Sequence, residues 1–296
     1  MLNKFIKISD SVYTLALLSA RPVLWPSIVL SSIASVHHLG GSVQTGALLG
    51  IVLLLAASYG FIINDIEDRE IDSLNGIDRL QSLGNSDSGR MARLARLIAV
   101  VSCGLAYMVS PLTLLVETFI VYLLWVYTKK ARKIFLVANI LCCFVSSSPI
   151  WMPMLILNRF STCLLFWLFT AFLLMLSREI VFDASDALGD AAGGRKTIAT
   201  RCGPQLAVDI AKLIHSGALI SAVVALTSGL QFTQRSGVYA AVGIILIGFL
   251  ALAWRELVLL SSKHPVTDKK YVILTRIAMI LSVACILMTD PLNFGG

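Results

Sequence analysis

Long apolar runs are the feature of this sequence that most restricts its fold. They recur along the chain, and many reach the roughly 18 residues that an α-helix needs to cross the hydrocarbon core of a bilayer. Only 14% of the 296 residues are charged, whereas a soluble domain carries about 25%. So few charged groups cannot cover a soluble surface of this size. The chain is therefore predicted to be an all-α integral membrane protein.

Nine transmembrane helices account for these runs. They are predicted at 20–39, 43–64, 94–111, 112–128, 134–157, 161–182, 206–229, 237–260 and 271–289. The whole chain, 1–296, is predicted to form one polytopic membrane domain. A weak internal repeat divides it into two four-helix halves, about 20–128 and 134–260, with 271–289 as an additional ninth helix. The repeat is suggested by two acidic clusters, which follow the second and the sixth helix.

The distribution of basic residues predicts the orientation in the membrane. Of the 24 lysines and arginines, only Arg159 and Arg235 fall clearly on the nearly neutral set of loops. Because lysine and arginine collect on cytoplasmic loops, the N-terminus and both acidic clusters are predicted to face the cytoplasm. Attraction to anionic lipid explains the net charge of +7 without a nucleic-acid partner. The six cysteines lack the spacing of a disulfide framework or a zinc site.

The two acidic clusters have the same spacing. Within each cluster the aspartates stand at positions i, i+3 and i+7, which places them on one face of a helix. Carboxylates this close repel one another unless cations lie between them. Oxygen ligands at a water-accessible helix end suit Mg²⁺, which is bound through a few carboxylates, waters and phosphates. Two facing clusters would hold two Mg²⁺ ions across one diphosphate. The aspartates are Asp65, Asp68, Asp72, Asp183, Asp186 and Asp190.

Alternatives exist for each of these charged segments. One cluster alone could be a solvated loop, but two clusters at matching positions favour a site. The basic loop 127–133 could supply charge to a phosphate or anchor the chain at the membrane surface. Arg178 and Glu179, one turn before Asp183, either pair with each other or belong to the site. Glu117, isolated within the fourth predicted helix, either bonds to the backbone or serves as a base for an acceptor.

The motifs around these clusters resemble those of the UbiA superfamily of intramembrane prenyltransferases. NDIEDREID at 64–72 matches the family's NDxxDxxxD motif, and REIVFDASDALGDAAGGRKTIATRCG at 178–203 is similar to its second motif. Further matches are Arg21-Pro22 and the YTKKARK loop followed by Asn139. The sequence departs from the family at Leu80 and at Ser185, where proline and an acid are common. The resemblance extends from about residue 20 to residue 203.

The resemblance implies nine helices around a central cavity and a Mg²⁺-dependent reaction. The enzyme would ionise an isoprenyl diphosphate and transfer the prenyl group to an aromatic, lipid or pigment-alcohol acceptor. The implied catalytic residues are Asp68, Asp72, Asp183, Asp186 and Asp190, which with Asn64 and Asp65 also form the metal set. The residues implied for the diphosphate are Asn64, Arg79, Tyr127, Lys130 and Arg132. The alternatives are a terpene cyclase on the same scaffold, which needs no acceptor, and an ion-coupled transporter.

Overall fold

The computed structural model describes residues 12–74, 80, 85–260 and 269–292. Throughout these ranges the regular structure is helical. The α-helices are α1 (Val12–Ser19), α2 (Trp25–His38), α3 (Val43–Leu74), α4 (Asn85–Val109), α5 (Pro111–Lys129), α6 (Val137–Ser146), α7 (Ser148–Ile156), α8 (Thr162–Ser185), α9 (Ala187–Ala192), α10 (Ile198–Cys202), α11 (Pro204–Gly229), α12 (Ser236–Leu260) and α13 (Lys269–Leu287).

The predicted all-α membrane fold is confirmed. In the described part of the chain, eight segments are long and apolar enough to cross a membrane. They are Val12–His38, Val43–Leu74, Asp87–Val109, Pro111–Lys129, Thr162–Ser185, Pro204–Phe232, Ser236–Leu260 and Lys269–Leu287. The first of them begins at Val12, eight residues before the predicted start at residue 20, and contains both α1 and α2.

The predicted helix at 134–157 is a bent pair, not one straight helix. Its two parts, α6 and α7, meet at an angle of 62° and together complete a ninth span. The bend has a local cause in the sequence. Pro149 stands in the first turn of α7 and has no N–H to donate to a preceding turn, so α6 cannot continue through it. The Ser147 hydroxyl at the break donates to the Phe144 carbonyl at 3.0 Å.

The spans form a closed ring. Each packs against its neighbour in sequence, and α13 packs back against α2. Small residues permit the closest of these contacts. A Cβ atom added at Gly46 or Gly50 of α3 would lie 2.7 or 2.8 Å from a Cα atom of α2, so only glycine allows the two backbones to approach this closely. This packing fixes the direction of α3, whose last turns carry the first acidic cluster.

Close packing between α8 and α11 supports the end of α8, which carries the start of the second acidic cluster. Five alanines of α11 are fully buried, and their small side chains let the two helix backbones approach: Ala207, Ala211, Ala218, Ala222 and Ala225. Serine hydroxyls cross the interface. Ser177 of α8 lies 2.9 Å from the Ala211 carbonyl, and Ser221 of α11 donates to the Phe166 carbonyl at 2.9 Å. Because Ser177 lies six residues before Asp183, the start of the second cluster has a rigid support.

The end of the ring opposite the acidic clusters is held by a buried histidine. His38, at the end of α2, lies 2.6 Å from the Thr289 hydroxyl and 2.7 Å from the Ser161 hydroxyl. These contacts join the first span to the start of α8 and to the segment after α13. His38 is fully buried, and so its role at this end of the fold is to bind three segments together.

Candidate active site

The first acidic cluster lies on one uninterrupted helix. Asp65, Asp68 and Asp72 all belong to the last three turns of α3, as the spacing predicts. Asp65 and Asp68 are only 2% and 5% exposed. Asn64 holds the cluster from within, because its Nδ2 donates to Asp68 Oδ2 at 2.9 Å. Arg21 Nη2, from the turn between α1 and α2, approaches Asp65 Oδ1 at 3.3 Å.

The second acidic cluster is divided between two helices. The prediction of a single helical face is wrong here, because α8 ends at Ser185 and α9 begins at Ala187. Asp183 therefore lies on α8, Asp186 at the junction and Asp190 on α9. The Ser185 hydroxyl donates to the Phe182 carbonyl at 2.8 Å, a local bond that competes with the continuing helix.

Two arginines bind Asp68 of the first cluster, and one of them also binds the second cluster. Arg132, which follows α5, and Arg195, which follows α9, both donate to Asp68 Oδ1. The second η-nitrogen of Arg195 donates to Asp190 Oδ1 at 2.9 Å. Arg195 thus bridges an aspartate of the first cluster to one of the second. The fork of a guanidinium, with donors on two nitrogens, is suited to binding two carboxylates at once.

Burial and these ion pairs determine the charge states at the junction. Burial raises the pKa of Asp190, and the Arg195 guanidinium opposes that rise. Burial alone would lower the pKa of Arg195, but Asp68 and Asp190 together raise it above its ordinary value. Arg195 therefore carries its positive charge throughout the physiological pH range. The site keeps a fixed cation where a diphosphate would need one.

One pocket lies beside the ion pairs that join the clusters, and Asp183 of the second cluster is part of its wall. Its wall combines the basic loop after α5, the start of α6, the end of α8 and the segment after α9. The lining residues are Tyr127, Arg132, Ala138, Asn139, Glu179, Asp183, Arg195, Lys196 and Thr197. Asn139 Nδ2 donates to Asp183 Oδ2 at 2.8 Å, and so orients that carboxylate. The Lys196 N–H donates to the Arg132 carbonyl at 3.2 Å, which joins the two basic segments.

Of the other residues predicted to bind the diphosphate, some line the pocket and some do not. Tyr127 and Arg132 line the pocket, and their side chains contact each other, with the guanidinium 4.9 Å from the ring centre. The Lys130 ammonium lies 5.6 Å from the centre of the Trp125 ring and is not part of the pocket wall. Lys129 pairs with Glu67. Arg79 falls outside the described residues.

Sequence reasoning missed two cations of the pocket. Neither Arg195 nor Lys196 is among the residues that the sequence predicts for the site. Their signal is present in the sequence, because the Gly193-Gly194-Arg195-Lys196 segment follows Asp190 directly. A turn of two glycines can fold a following cation back towards the preceding helix. The Arg195 backbone N–H bonds to the Asp190 carbonyl at 2.9 Å in such a reversal.

The chemistry of the candidate ligands fits Mg²⁺. They offer carboxylate and amide oxygens, the donors that this ion prefers. The Asn64 Oδ1 atom is buried and has no hydrogen-bond partner among the described residues, which leaves an oxygen available to a cation. In the same part of the chain, no three His, Cys, Asp or Glu side chains are grouped closely enough to hold a metal ion. Instead, Arg132 and Arg195 neutralise Asp68 in this arrangement.

Curated relatives share extended sequence similarity with this chain. A digeranylgeranylglyceryl phosphate synthase from Methanopyrus kandleri is 30% identical over 199 residues, which are 65% of this chain and 71% of that protein. An enzyme of the same name from Sulfolobus acidocaldarius is 31% identical over 207 residues, 68% of this chain and 70% of that protein.

Solved structures share the fold. A UbiA homologue from Archaeoglobus fulgidus bound to GPP and Mg²⁺ superposes with a TM-score of 0.66 at 17% identity, over 92% of this chain and 99% of that one. A UbiA homologue from Aeropyrum pernix gives a TM-score of 0.67 at 14% identity, over 88% and 96% of the two chains. The family model described as the UbiA prenyltransferase family matches residues 23–279. The chain therefore belongs to the UbiA prenyltransferase family.

Proposed function

We propose that this prenyltransferase joins a prenyl group to the free hydroxyl of a glyceryl phosphate lipid. The observation that carries the proposal is the Arg195 bridge between Asp68 and Asp190, because it joins the two acidic clusters at the wall of a pocket that contains fixed cations. A prenyl diphosphate supplies the group to be transferred. The acceptor class is suggested by the relatives, which are named for a glyceryl phosphate carrying two geranylgeranyl chains.

The residues of the pocket would divide the work between binding and orientation. Arg132, Arg195 and Lys196 would hold the diphosphate oxygens, since each presents a cation to the pocket or its wall. Asn64, Asp65, Asp68 and Asp72 would hold one Mg²⁺ ion, and Asp183, Asp186 and Asp190 another. When bound, Mg²⁺ supplies positive charge that stabilises the leaving diphosphate. We also infer from the charge on the loops that the pocket opens to the cytoplasm.

The protein's own contribution to the reaction is charge placement. Cations fixed around the diphosphate need no reorganisation when the C–O bond breaks, so they favour the transition state over the bound substrate. Because the pocket wall is mostly polar, water can capture the allylic carbocation when no acceptor is bound, which releases the diphosphate. Tyr127, which contacts Arg132, would orient the guanidinium towards the diphosphate.

The test is a transfer assay with purified protein in lipid or detergent. Geranylgeranyl diphosphate is incubated with Mg²⁺ and geranylgeranylglyceryl phosphate, and the products are identified by mass spectrometry. We expect digeranylgeranylglyceryl phosphate and one diphosphate for each ether formed, and no turnover after chelation with EDTA. A cyclic hydrocarbon formed without any acceptor would overturn the transferase proposal in favour of a cyclase. Transfer only to an aromatic or pigment alcohol would overturn the acceptor class.

A further inference from the structure

One acid of the pocket has no role in the scheme above. Glu179 lines the pocket together with Asp183, Tyr127 and Arg132. It precedes Asp183 by four residues on α8, so it lies one turn, about 6 Å, further into the apolar part of the span. A negative charge at this position opposes the binding of a diphosphate. Glu179 is therefore expected to have a role other than binding the diphosphate.

The cations of the described residues lie beyond ion-pair distance of Glu179. Among the described residues no ion pair to its carboxylate is found, in contrast to Asp68 and Asp190. Its neighbour Arg178 is buried, and the guanidinium is directed at two sulphur atoms, Met175 Sδ at 3.5 Å and Met279 Sδ at 3.6 Å. The mutual ion pair that the sequence allows for Arg178 and Glu179 is therefore not formed.

The position of Glu179 suits the second half of a transfer reaction. In the proposed function the diphosphate would bind beside Arg132 and Arg195, and the allylic carbon is bonded to it. That carbon must then lie on the side of the diphosphate that faces the apolar part of the span, as Glu179 does. An acceptor oxygen attacking this carbon would come within reach of the Glu179 carboxylate.

We propose that Glu179 is the general base that removes the proton from the acceptor hydroxyl. The inference rests on the proposed function. The bond between the allylic carbon and the diphosphate oxygen breaks, and its electron pair stays on the diphosphate. A lone pair of the acceptor oxygen forms the new ether bond, and the hydroxyl proton passes to Glu179. A positioned base of this kind contributes about 10²-fold to 10⁴-fold in rate.

The chain contains a matched control in Glu117. It is also a buried glutamate within a span, but its Oε1 lies 2.5 Å from the Ser102 hydroxyl between α4 and α5, and it is not part of the pocket wall. The sequence suggests only Glu117 as a base for an acceptor, whereas the structure places Glu179 in the pocket wall. Glu117→Gln keeps the shape and a hydrogen-bonding group, so transfer by this variant should match that of the wild type.

The test compares Glu179→Gln with Glu117→Gln and the wild type in two reactions. The first is Mg²⁺-dependent release of diphosphate from geranylgeranyl diphosphate without acceptor, and the second is ether formation with geranylgeranylglyceryl phosphate. We expect Glu179→Gln to release diphosphate at the wild-type rate and to lose ether formation by about 10²-fold or more. Equal loss in both reactions would make Glu179 a diphosphate or metal residue and overturn the inference.

A thiol acceptor distinguishes a base from a carboxylate that only stabilises the carbocation. A thiol ionises near pH 8.5, far below an alcohol, and so needs little help from a base. We expect an analogue of geranylgeranylglyceryl phosphate with a thiol in place of the free hydroxyl to restore transfer by Glu179→Gln. Failure of the thiol to restore transfer, with diphosphate release intact, would also overturn the inference. Absence of ether formation by the wild type would instead overturn the proposed function.

Discussion

The two acidic clusters share one spacing but have different backbones. In the first, α3 runs without a break through Asp65, Asp68 and Asp72. In the second, the chain leaves α8 at Asp186 and enters α9 before Asp190. The straight helix alone sets the positions of its three aspartates relative to one another. The broken one depends on tertiary partners, because Asn139 holds Asp183 and Arg195 holds Asp190. Equal spacing in sequence therefore does not give equal geometry.

The difference has a consequence for how the site is assembled. The acids of the first cluster share one helix, whereas those of the second need Asn139 of α6 and Arg195 after α9 to hold them in place. Arg195 joins the two by bonding to Asp68 and Asp190. We infer that the straight cluster is the fixed wall of the site. The broken cluster is the wall whose position depends on the arginine bridge.

Removal of Asp68 should produce the largest effect. Asp68→Ala leaves Arg132 and Arg195 without their shared carboxylate, and breaking a buried ion pair on one side costs about 3–5 kcal/mol of unfolding free energy. Because the first cluster also loses a candidate metal ligand, we expect transfer to fall by about 10³-fold. Thermal unfolding in detergent and the ether-forming assay measure the two effects. Retention of both stability and activity would remove Asp68 from the centre of the site.

Loss of the bridge should affect substrate binding more than folding. Arg195→Gln removes two charge-assisted bonds, one to each cluster, and each is worth about 1.5–3 kcal/mol. We expect the KM for geranylgeranyl diphosphate to rise by about 100-fold, with a smaller rise in Arg195→Lys, which keeps the charge but not the fork. Steady-state kinetics at saturating acceptor measures KM. An unchanged KM would mean that substrate binding does not depend on the Arg195 bonds to the two clusters.

The Asn139 contact allows a direct comparison between the clusters. Asn139→Leu removes the bond that orients Asp183, and loss of such a supporting partner typically weakens metal affinity about 10-fold or more. We expect a higher Mg²⁺ requirement and near-normal turnover at saturating Mg²⁺. Asn64→Leu is the counterpart in the first cluster, where the amide is itself a candidate ligand. Excess Mg²⁺ should not restore that variant, and equal recovery of both would contradict the distinction.

The sequence predicts the membrane fold well because hydropathy is a local property. Runs of apolar residues identify the spans. The bend at Ser147, the early start at Val12, the end of α3 at Leu74 and the start of α4 at Asn85 differ from the prediction. The site is less predictable because its contacts are not local. Arg195 bonds to a residue 127 positions away, and spacing alone carries no sign of it. The break at Asp186 was missed since the i, i+3, i+7 pattern is the same on a straight and a broken helix.

The smallest effect is expected on the outer face of the straight cluster. Glu67 is the residue before Asp68 on α3 and pairs with Lys129, but the two side chains are 37% and 42% exposed. Solvent screens such a pair, so it contributes less than about 1 kcal/mol. We therefore expect Lys129→Ala to leave transfer and thermal unfolding essentially unchanged, in contrast to Asp68→Ala, which changes the residue next to Glu67 on α3. A large loss of activity would mean that Lys129, not Arg132, is the cation of this loop that holds the diphosphate.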